Sequence, residues 1–379
     1  MNDGPPRGIR LTDKQRLSWL HLIRSDNVGP ATFRELINNC GSAERAIDML
    51  PELSRRGGSK RAIKVASLDN AERELELITK FGAHIIGIGE PQYPSALRQI
   101  EGAPPLLTMK GNLDLVHMPS VGMVGSRNAS ISGSKFAANL AQEIGRAGYS
   151  IISGLARGID ASAHHASINT GTIAAIAGGI DQPYPPENIQ LYRDICDGAG
   201  LAITEMRFGW KPIARDFPRR NRLIAGVSLG LVVVEAAKRS GSLISARRAA
   251  EFGRLVFAVP GSPLDPRAGG TNDLLKDGAI LTTHADDVLQ ALAPMSNVSP
   301  DPDFIIEESD DDQVSMEPPD ENARTVIVNA MGRTPVEIDD IIRHTGYPAQ
   351  TIYLVLLELD LAGRIQRHSG GLVSFIIEP

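Results

Sequence analysis

Short apolar runs alternate with amphipathic stretches through the middle of the chain. Because strands buried on both faces occur mainly in parallel sheets covered by helices, the pattern predicts a doubly wound, Rossmann-like α/β fold. Ligands of such folds bind at the carboxyl ends of the strands. The predicted strands are residues 121–124, 150–152, 172–177, 201–204, 229–234 and 255–259, with a further one at 83–88. The predicted helices include residues 135–146, 160–168, 222–227 and 242–252, and residues 91–105 form a proline-punctuated connector.

The N-terminal part of the chain has helical spacing of apolar residues from about Leu11 to Leu77. It predicts an all-α domain of the SAM or helix-hairpin-helix type. Residues 26–30 resemble the hairpin turn, with Asn27 in place of the usual first glycine. The amides of such a turn can hold a phosphate. A helical packing module without DNA contact explains the pattern equally well.

The C-terminal part contains three helix patterns and then an alternating stretch, residues 365–375, interrupted at Gly370 and Gly371. This order predicts a winged helix. Its third helix, about residues 349–362, carries Glu358 and Asp360 and has no Lys or Arg before Arg364. A helix that reads duplex DNA brings donors to phosphates and bases, so we expect this one to dock protein or regulate.

Four segments follow from these patterns: a helical domain at 1–78, a Rossmann-like domain at 79–292, an acidic flexible linker at 293–321 and a winged helix at 322–379. The linker is a solvated spacer or, alternatively, an acidic mimic of nucleic acid that shields a basic pocket. Residues 301–321 hold ten acidic side chains and no Lys or Arg. The net charge of −6 therefore conceals a charge of +4 on the rest of the chain.

Other features of composition bear on location and site type. Cys40 and Cys196 are the only two cysteines, too few for a disulfide framework or a thiolate metal site, which indicates a reducing cytoplasm. The N-terminus lacks an apolar signal core, and no apolar run reaches the roughly 18 residues of a membrane span. We therefore expect a cytoplasmic protein.

Glycine, serine and arginine follow two consecutive predicted strands. Gly125-Ser126-Arg127 comes after the first strand, and Ser153-Gly154 with Arg157 comes after the second. Glycine allows a close approach of the backbone, and arginine supplies donors suited to phosphate oxygens. Two such loops at adjacent strand ends predict a shared anion site. In the helix that follows, we expect Asp160 to be the N-cap and His164 to be a packing residue.

Two further segments have the same character. Arginines crowd the predicted start of the helix at 222–227, where positive charge opposes the helix dipole unless an anion compensates. This segment comprises Phe217, Arg219, Arg220, Asn221 and Arg222. Another helix begins after a strand with Ser240-Gly241-Ser242, which offers hydroxyls and free amides.

Several familiar chemistries lack their motifs. The chain has no P-loop, no G-x-G-x-x-G followed by an acidic residue, and no Cys/His cluster with zinc spacing. No catalytic triad stands out, so we predict no catalytic residue, metal or cofactor. The alternative is a nucleotide-binding or nucleotide-cleaving Rossmann-like enzyme that uses Glu205, Glu235 or Asp160 as its acid or base.

Taken together, the motifs between about Gly82 and Leu281 resemble those of the DprA/Smf family of bacterial DNA-processing proteins. The resemblance is carried by residues 93–97, 124–127, 153–160, His164, 178–181, Tyr184, Pro185, Glu205, 217–222, 224–226, 234–236, 240–242, 259–261, 270–272, Leu275, Gly278 and Ala279. The helical N-terminus and the winged helix are accessory domains also found in that family.

The resemblance implies a DNA-binding recombination mediator and not an enzyme. It implies single-stranded DNA as ligand, protection of incoming strands in natural transformation, loading of the RecA recombinase and a homodimer formed through the Rossmann-like domain. The residues expected to line the DNA groove are Gly125, Ser126, Arg127, Ser153, Gly154, Arg157, Phe217, Arg219, Arg220, Asn221, Arg222, Ser240, Gly241 and Ser242. Phe217 is the candidate for base stacking.

Overall fold

The computed structural model describes residues 10–296, 319–368 and 370–376, which group into two compact units. One unit contains residues 74–296. The other combines residues 10–73 with 319–376, so the two terminal segments pack together although they were predicted as separate domains. Most of the predicted acidic linker, 293–321, lies outside the described residues.

The N-terminal segment is helical, as predicted, and two of its helices begin at side-chain caps. Thr12 and Gln15 form a capping box at the first helix, and Ser42 caps the third. The rings of Trp19 and Phe33 meet edge to face at 5.1 Å between centroids in the core of this segment. The helices are α1 (Asp13–Ile23), α2 (Pro30–Cys40), α3 (Ala43–Arg56) and α4 (Leu68–Lys80).

The central segment alternates strands and helices, as the apolar runs predict. Its elements are β1 (His84–Gly87), α5 (Ser95–Arg98), β2 (Leu106–Gly111), β3 (Ser120–Val124), α6 (Ile131–Arg146), β4 (Ser150–Ser153), α7 (Ile159–Ser167), β5 (Thr172–Ala175), α8 (Ile189–Asp197), β6 (Leu201–Thr204), α9 (Asp216–Val227), β7 (Gly230–Val233), α10 (Gly241–Glu251), β8 (Leu255–Ala258), α11 (Gly269–Lys276), β9 (Ile280–Leu281) and α12 (Ala285–Ser296). Three short 3₁₀ helices lie at Leu113–His117, Pro186–Asn188 and Pro266–Ala268.

The central strands form one nine-stranded sheet in the order β1-β2-β6-β5-β4-β3-β7-β8-β9. Strands β3 to β9 are parallel to their neighbours, and only β1 with β2 and β2 with β6 pair antiparallel. The chain builds outward from β3 to β6 and then returns to β7 on the other side of β3. Right-handed crossovers therefore place α6–α8 on one face and α9 and α10 on the other. The sheet is doubly wound, with its switch point between β3 and β7.

Some of these elements were not predicted from the sequence, and one helix begins earlier than predicted. The connector predicted at 91–105 contains the short helix α5, and β2 was not predicted. The helix predicted at 222–227 begins six residues earlier, at Asp216. Arg219 and Arg220 therefore lie within its first two turns and not ahead of it.

The C-terminal segment has the predicted winged-helix order. It comprises α13 (Glu321–Asn329), β10 (Val336–Glu337), α14 (Ile338–Thr345), α15 (Ala349–Leu361), β11 (Ile365–His368) and β12 (Leu372–Phe375), with the three strands in the order β10-β12-β11. Its apolar core includes Ile327, Ile341, Ile352 and Leu356.

The third helix of the winged helix, α15, packs against α2 and α3 of the N-terminal segment. Arg367 joins the two segments, since its guanidinium donates to both carboxylate oxygens of Glu35, at 2.7 and 2.6 Å, and to Asp360 at 3.0 Å. Thr32 also donates to Asp360, at 2.8 Å. The hairpin turn takes part as well, because the Asn27 amide donates to the carbonyl of Leu361 at 2.9 Å.

We predict that Arg367→Ala lowers the free energy of unfolding of the terminal unit by about 3 kcal/mol. The substitution leaves the largely buried carboxylates of Glu35 and Asp360 without their cation. Chemical denaturation of the full chain measures the change. The matched control is Arg343→Ala, which breaks an exposed pair with Asp340 and should leave the unfolding free energy nearly unchanged. Equal effects of the two substitutions would contradict the prediction.

Candidate nucleic-acid interface

The two glycine-serine-arginine loops lie side by side, because β3 and β4 are parallel neighbours. The amide of Ile159 donates to the carbonyl of Ser126 at 3.2 Å and ties the second loop to the first. Gly158 makes this approach possible. Its φ is +73°, and a Cβ there would lie 2.3 Å from the carbonyl oxygen of Ser126. The structure therefore brings the two predicted loops together at one edge of the sheet.

Arg220 lies beneath these loops and not on their surface. Its side chain is buried, and Nη1 donates to the carbonyls of Gly154 and Ala175, the latter at 2.8 Å. Its Nε donates to the side chain of Asn221 at 3.2 Å. Arg220 thus joins α9 to the ends of β4 and β5.

The carboxylate of Asp160 also holds the loop after β4. It accepts the amides of Gly154 at 3.1 Å and Ala156 at 3.3 Å. Gly158 is the N-cap of α7, and Asp160 lies in its first turn, so the prediction of Asp160 as the N-cap is wrong. Burial raises the pKa of Asp160, and Arg220 opposes that rise.

His164 is fully buried and packs below the same loop, as predicted. Its Nε2 accepts the amide of Leu155 at 3.3 Å, so Nδ1 carries the proton and faces the hydroxyl of Thr172 at 2.7 Å. Burial lowers the pKa of His164 to about 3, with further lowering by His165 and Arg220. The neutral imidazole is therefore a fixed support for Leu155, whose φ is +57°.

Four of the predicted residues present charged or aromatic groups to solvent at this edge. The guanidinium of Arg127 lies 5.6 Å from the ring centroid of Phe217. The side chain of Arg219 is 47% exposed and donates to Glu205 at 2.9 Å. Arg157 is exposed and 3.6 Å from the equally exposed Glu187. Cations and one ring thus occur together at the carboxyl ends of the strands.

Glu205 is a buried anion and binds two of the predicted arginines. Its side chain is 4% exposed and accepts from Arg219 and Arg222, and Arg222 also donates to the carbonyl of Gly102. Burial raises the pKa of Glu205, but Arg222 and Arg219 outweigh it, so the net shift is downward. Arg222 therefore stabilises an internal carboxylate.

The third helix start lies beside α9, and its residues divide between surface and interior. Ser240 is the N-cap of α10 and accepts the amide of Ser242 at 3.3 Å. The side chain of Asn221 donates to the carbonyl of Gly241 at 3.5 Å, which joins α9 to this turn. Of the predicted groove residues, those exposed or partly exposed are Gly125, Ser126, Arg127, Arg157, Phe217, Arg219, Arg222, Ser240 and Gly241. The buried ones are Ser153, Gly154, Arg220, Asn221 and Ser242.

Tyr184 belongs to this edge but was not among the predicted site residues. It follows β5, is 49% exposed, and its ring lies 5.7 Å from that of Phe217. Tyr184-Pro185 is among the motifs that carry the family resemblance, and this could have pointed to a role in the site. Its exposure could not be predicted, because a loop residue has no helical or strand periodicity.

The part of the chain that the structure describes offers neither a cluster of metal-ligating side chains nor a membrane-spanning helix. Among those residues, no three His, Cys, Asp or Glu side chains are grouped closely enough to hold a metal ion. None of the helices formed by them is long and apolar enough to span a membrane.

Three family models match consecutive parts of the chain. The family model for "DNA recombination-mediator protein A" matches residues 84–293, more than half of the chain. The DprA-like N-terminal helix-hairpin-helix domain matches residues 13–76, and the DprA winged helix domain matches residues 312–371. The chain belongs to the DprA/Smf family.

Individual proteins similar to this chain carry the names of the same family. Protein Smf of Escherichia coli is 35% identical over 76% of this chain and 77% of its own length. The X-ray structure of DprA from Streptococcus pneumoniae is 33% identical, with a TM-score of 0.60 over 74% of this chain and 98% of that one. DprA from Helicobacter pylori, whose structure is described as giving insight into a single-stranded DNA binding mode, is 26% identical, with a TM-score of 0.52 over 57% of this chain and 97% of its own.

For this DprA/Smf protein, we predict that protonation of His164 lowers the free energy of unfolding at acidic pH. Its folded pKa of about 3 lies below the ordinary value of 6.5, so protonation favours the unfolded chain. The stabilisation is present above pH 6.5 and is lost below it, by up to about 1.4 kcal/mol per pH unit. Denaturation of wild type and His164→Gln between pH 7.5 and 5 measures it. The variant should lack this part of the slope, and parallel curves would contradict the assignment.

Proposed function

We propose that this protein is a non-enzymatic single-stranded DNA-binding recombination mediator that holds the strand by its phosphates at the carboxyl edge of the sheet. The observation that carries the proposal is the set formed by the exposed Arg127 and Arg219 and the partly exposed Phe217, above loops that buried side chains hold in place. Guanidinium groups suit phosphate oxygens, and an adjacent ring suits a base.

The spread of these groups favours a polymer over a single nucleotide. Arg127 follows β3, Arg157 follows β4, Arg219 lies on α9, and Ser240 and Gly241 begin α10. Donors from four segments along one edge suit several phosphates of an extended strand. The local positive charge matters more for such contacts than the overall charge of −6.

The buried members of the predicted groove have a positioning role in this proposal. Arg220 holds the loop after β4 and the end of β5 together, and Asn221 is bonded to the turn before α10. Arg222 neutralises Glu205, which leaves part of Arg219 exposed to a ligand. The buried side chains thus set the geometry, and the exposed ones make the contacts.

The environments of the candidate acids support binding over catalysis. Asp160 accepts two loop amides, and Glu205 is paired with two arginines. Glu235 accepts the amide of Ser130 at 3.0 Å and also its hydroxyl, at the start of α6. Each carboxylate is engaged in holding the fold, as expected of structural groups.

The DprA/Smf family membership extends the proposal to biology. We propose that the protein protects incoming strands during natural transformation, loads RecA on them and acts as a homodimer formed through the Rossmann-like unit. The solved DprA relative described as having a single-stranded DNA binding mode supports the ligand. We propose that the winged helix docks protein or regulates, because its third helix, α15, is engaged with α2 and α3 of the same chain.

Arg127→Ala should weaken binding of a single-stranded oligonucleotide roughly tenfold and reduce the slope of log K against log salt by about 0.7. The loss of one cation facing a phosphate causes both effects. Fluorescence anisotropy at several salt concentrations measures them.

The matched control is Arg146→Ala, an exposed arginine at the far end of α6, which should change neither quantity. Arg127→Lys should restore most of the slope, because the charge is kept. An unchanged affinity and slope for Arg127→Ala would refute the proposed groove.

RecA loading has a separate test. On strands coated with a single-strand-binding protein, wild type should raise the rate of RecA-dependent ATP hydrolysis. The double substitution Arg127→Ala with Arg219→Ala should abolish the increase, because the mediator no longer holds the strand. No increase with wild type, despite tight DNA binding, would refute the loading role alone.

A further inference from the structure

Tyr184, which was not among the predicted groove residues, extends the exposed surface of the groove. The guanidinium of Arg127, the ring of Phe217 and the ring of Tyr184 follow one another at 5.6 and 5.7 Å. They come from three separate segments, after β3, at the start of α9 and after β5. We propose that Tyr184 is a base-stacking site, which extends the bound strand beyond Phe217 toward the end of β5.

The exposure of Tyr184 favours a ligand over a role in the core. Aromatic rings are few in this chain, with nine Phe, six Tyr and two Trp among 379 residues. Tyr93, Tyr149 and Tyr192 are buried, whereas Tyr184 keeps 49% of its surface exposed. Its edge-to-face contact with Phe217, at 67° between planes, fixes the ring without enclosing it.

The loop that carries Tyr184 is held in place on both sides. The amide of Gly179 donates to the carbonyl of Trp210 at 2.9 Å, and Asp181 accepts the amide of Gly209 at 2.7 Å. After the tyrosine, the side chain of Asn188 donates to the carbonyl of Leu155 at 2.8 Å. The last bond links this loop to the one after β4, which Arg220 braces. A ring held in this way loses little entropy when a ligand stacks on it.

The chemistry of the neighbours identifies the ligand as a nucleobase. Arg127 supplies the phosphate contact and Phe217 the first ring, so a second ring one step along meets the next base of an extended strand. Stacking on an aromatic face tolerates any base. The inference rests on the proposed function and adds a contact to it.

The test separates stacking from charge. Oligonucleotide binding by full-length Tyr184→Ala should weaken roughly tenfold, with no change in the salt slope. Tyr184→Phe should bind as wild type does, because the ring is kept. Tyr353→Ala, which removes an exposed tyrosine from the other unit, is the control and should have no effect. Thermal unfolding verifies that each variant is folded.

An abasic oligonucleotide completes the design. It keeps the phosphates and removes the bases, so wild type and Tyr184→Ala should bind it equally. A tenfold difference that persists on the abasic strand would overturn the inference. So would unchanged binding of the normal strand by Tyr184→Ala, or a change in oligomeric state with unchanged DNA affinity. If Arg127→Ala also had no effect, the proposed function itself would fail, and not the stacking site alone.

Discussion

The candidate site depends on one buried cation. The guanidinium of Arg220 bonds to the carbonyls of Gly154 and Ala175 and to the side chain of Asn221. A buried cation is costly unless its donors are bonded and an anion is near, and the neighbouring carboxylate of Asp160 supplies the charge. Burial lowers the pKa of Arg220 to about 10, so it stays protonated at neutral pH. The loop after β4, the end of β5 and the start of α9 are thereby joined at one point.

The burial of Arg220 and the geometry of the helix explain why neighbouring arginines differ in role. In a helix, residues one apart point about 100° from each other, so Arg219 and Arg220 cannot face the same way. Arg220 turns inward to the loops, and Arg219 turns outward with nearly half of its side chain exposed. Arg222 then reaches Glu205 together with Arg219. A cluster that is compact in sequence thus divides into supports and contacts.

Much of the architecture could be predicted from the sequence, because buried parallel strands and amphipathic helices have strong local patterns. The adjacency of the loops after β3 and β4 followed from the rule that consecutive βα units place their strand ends together. The start of α9 was placed too late, since Pro218 and three arginines obscure its helical pattern. Asp160 was misassigned as a cap because its partners, the amides of Gly154 and Ala156, precede the helix in a loop whose path the sequence does not show.

Burial of individual polar residues could not be predicted for a related reason. Whether an arginine is a support or a contact depends on which carbonyls or carboxylates lie within reach, and those of Arg220 come from positions 45 and 66 residues earlier. Tyr184 illustrates the reverse case. A loop residue has no periodicity, so only the folded position beside Phe217 reveals its exposed ring.

In the winged helix, too, the partners of charged side chains come from segments distant in the sequence. The two acidic residues of α15, Glu358 and Asp360, were the reason to expect no reading of duplex DNA. In the structure, each has a partner within the same unit. Glu358 is fully buried and paired with Arg324 at 2.9 Å. Asp360 accepts from Thr32 of α2 and from Arg367, which also binds Glu35. The carboxylate of Asp360 thus joins the two terminal segments, whereas that of Glu358 holds α13 against α15 within the winged helix.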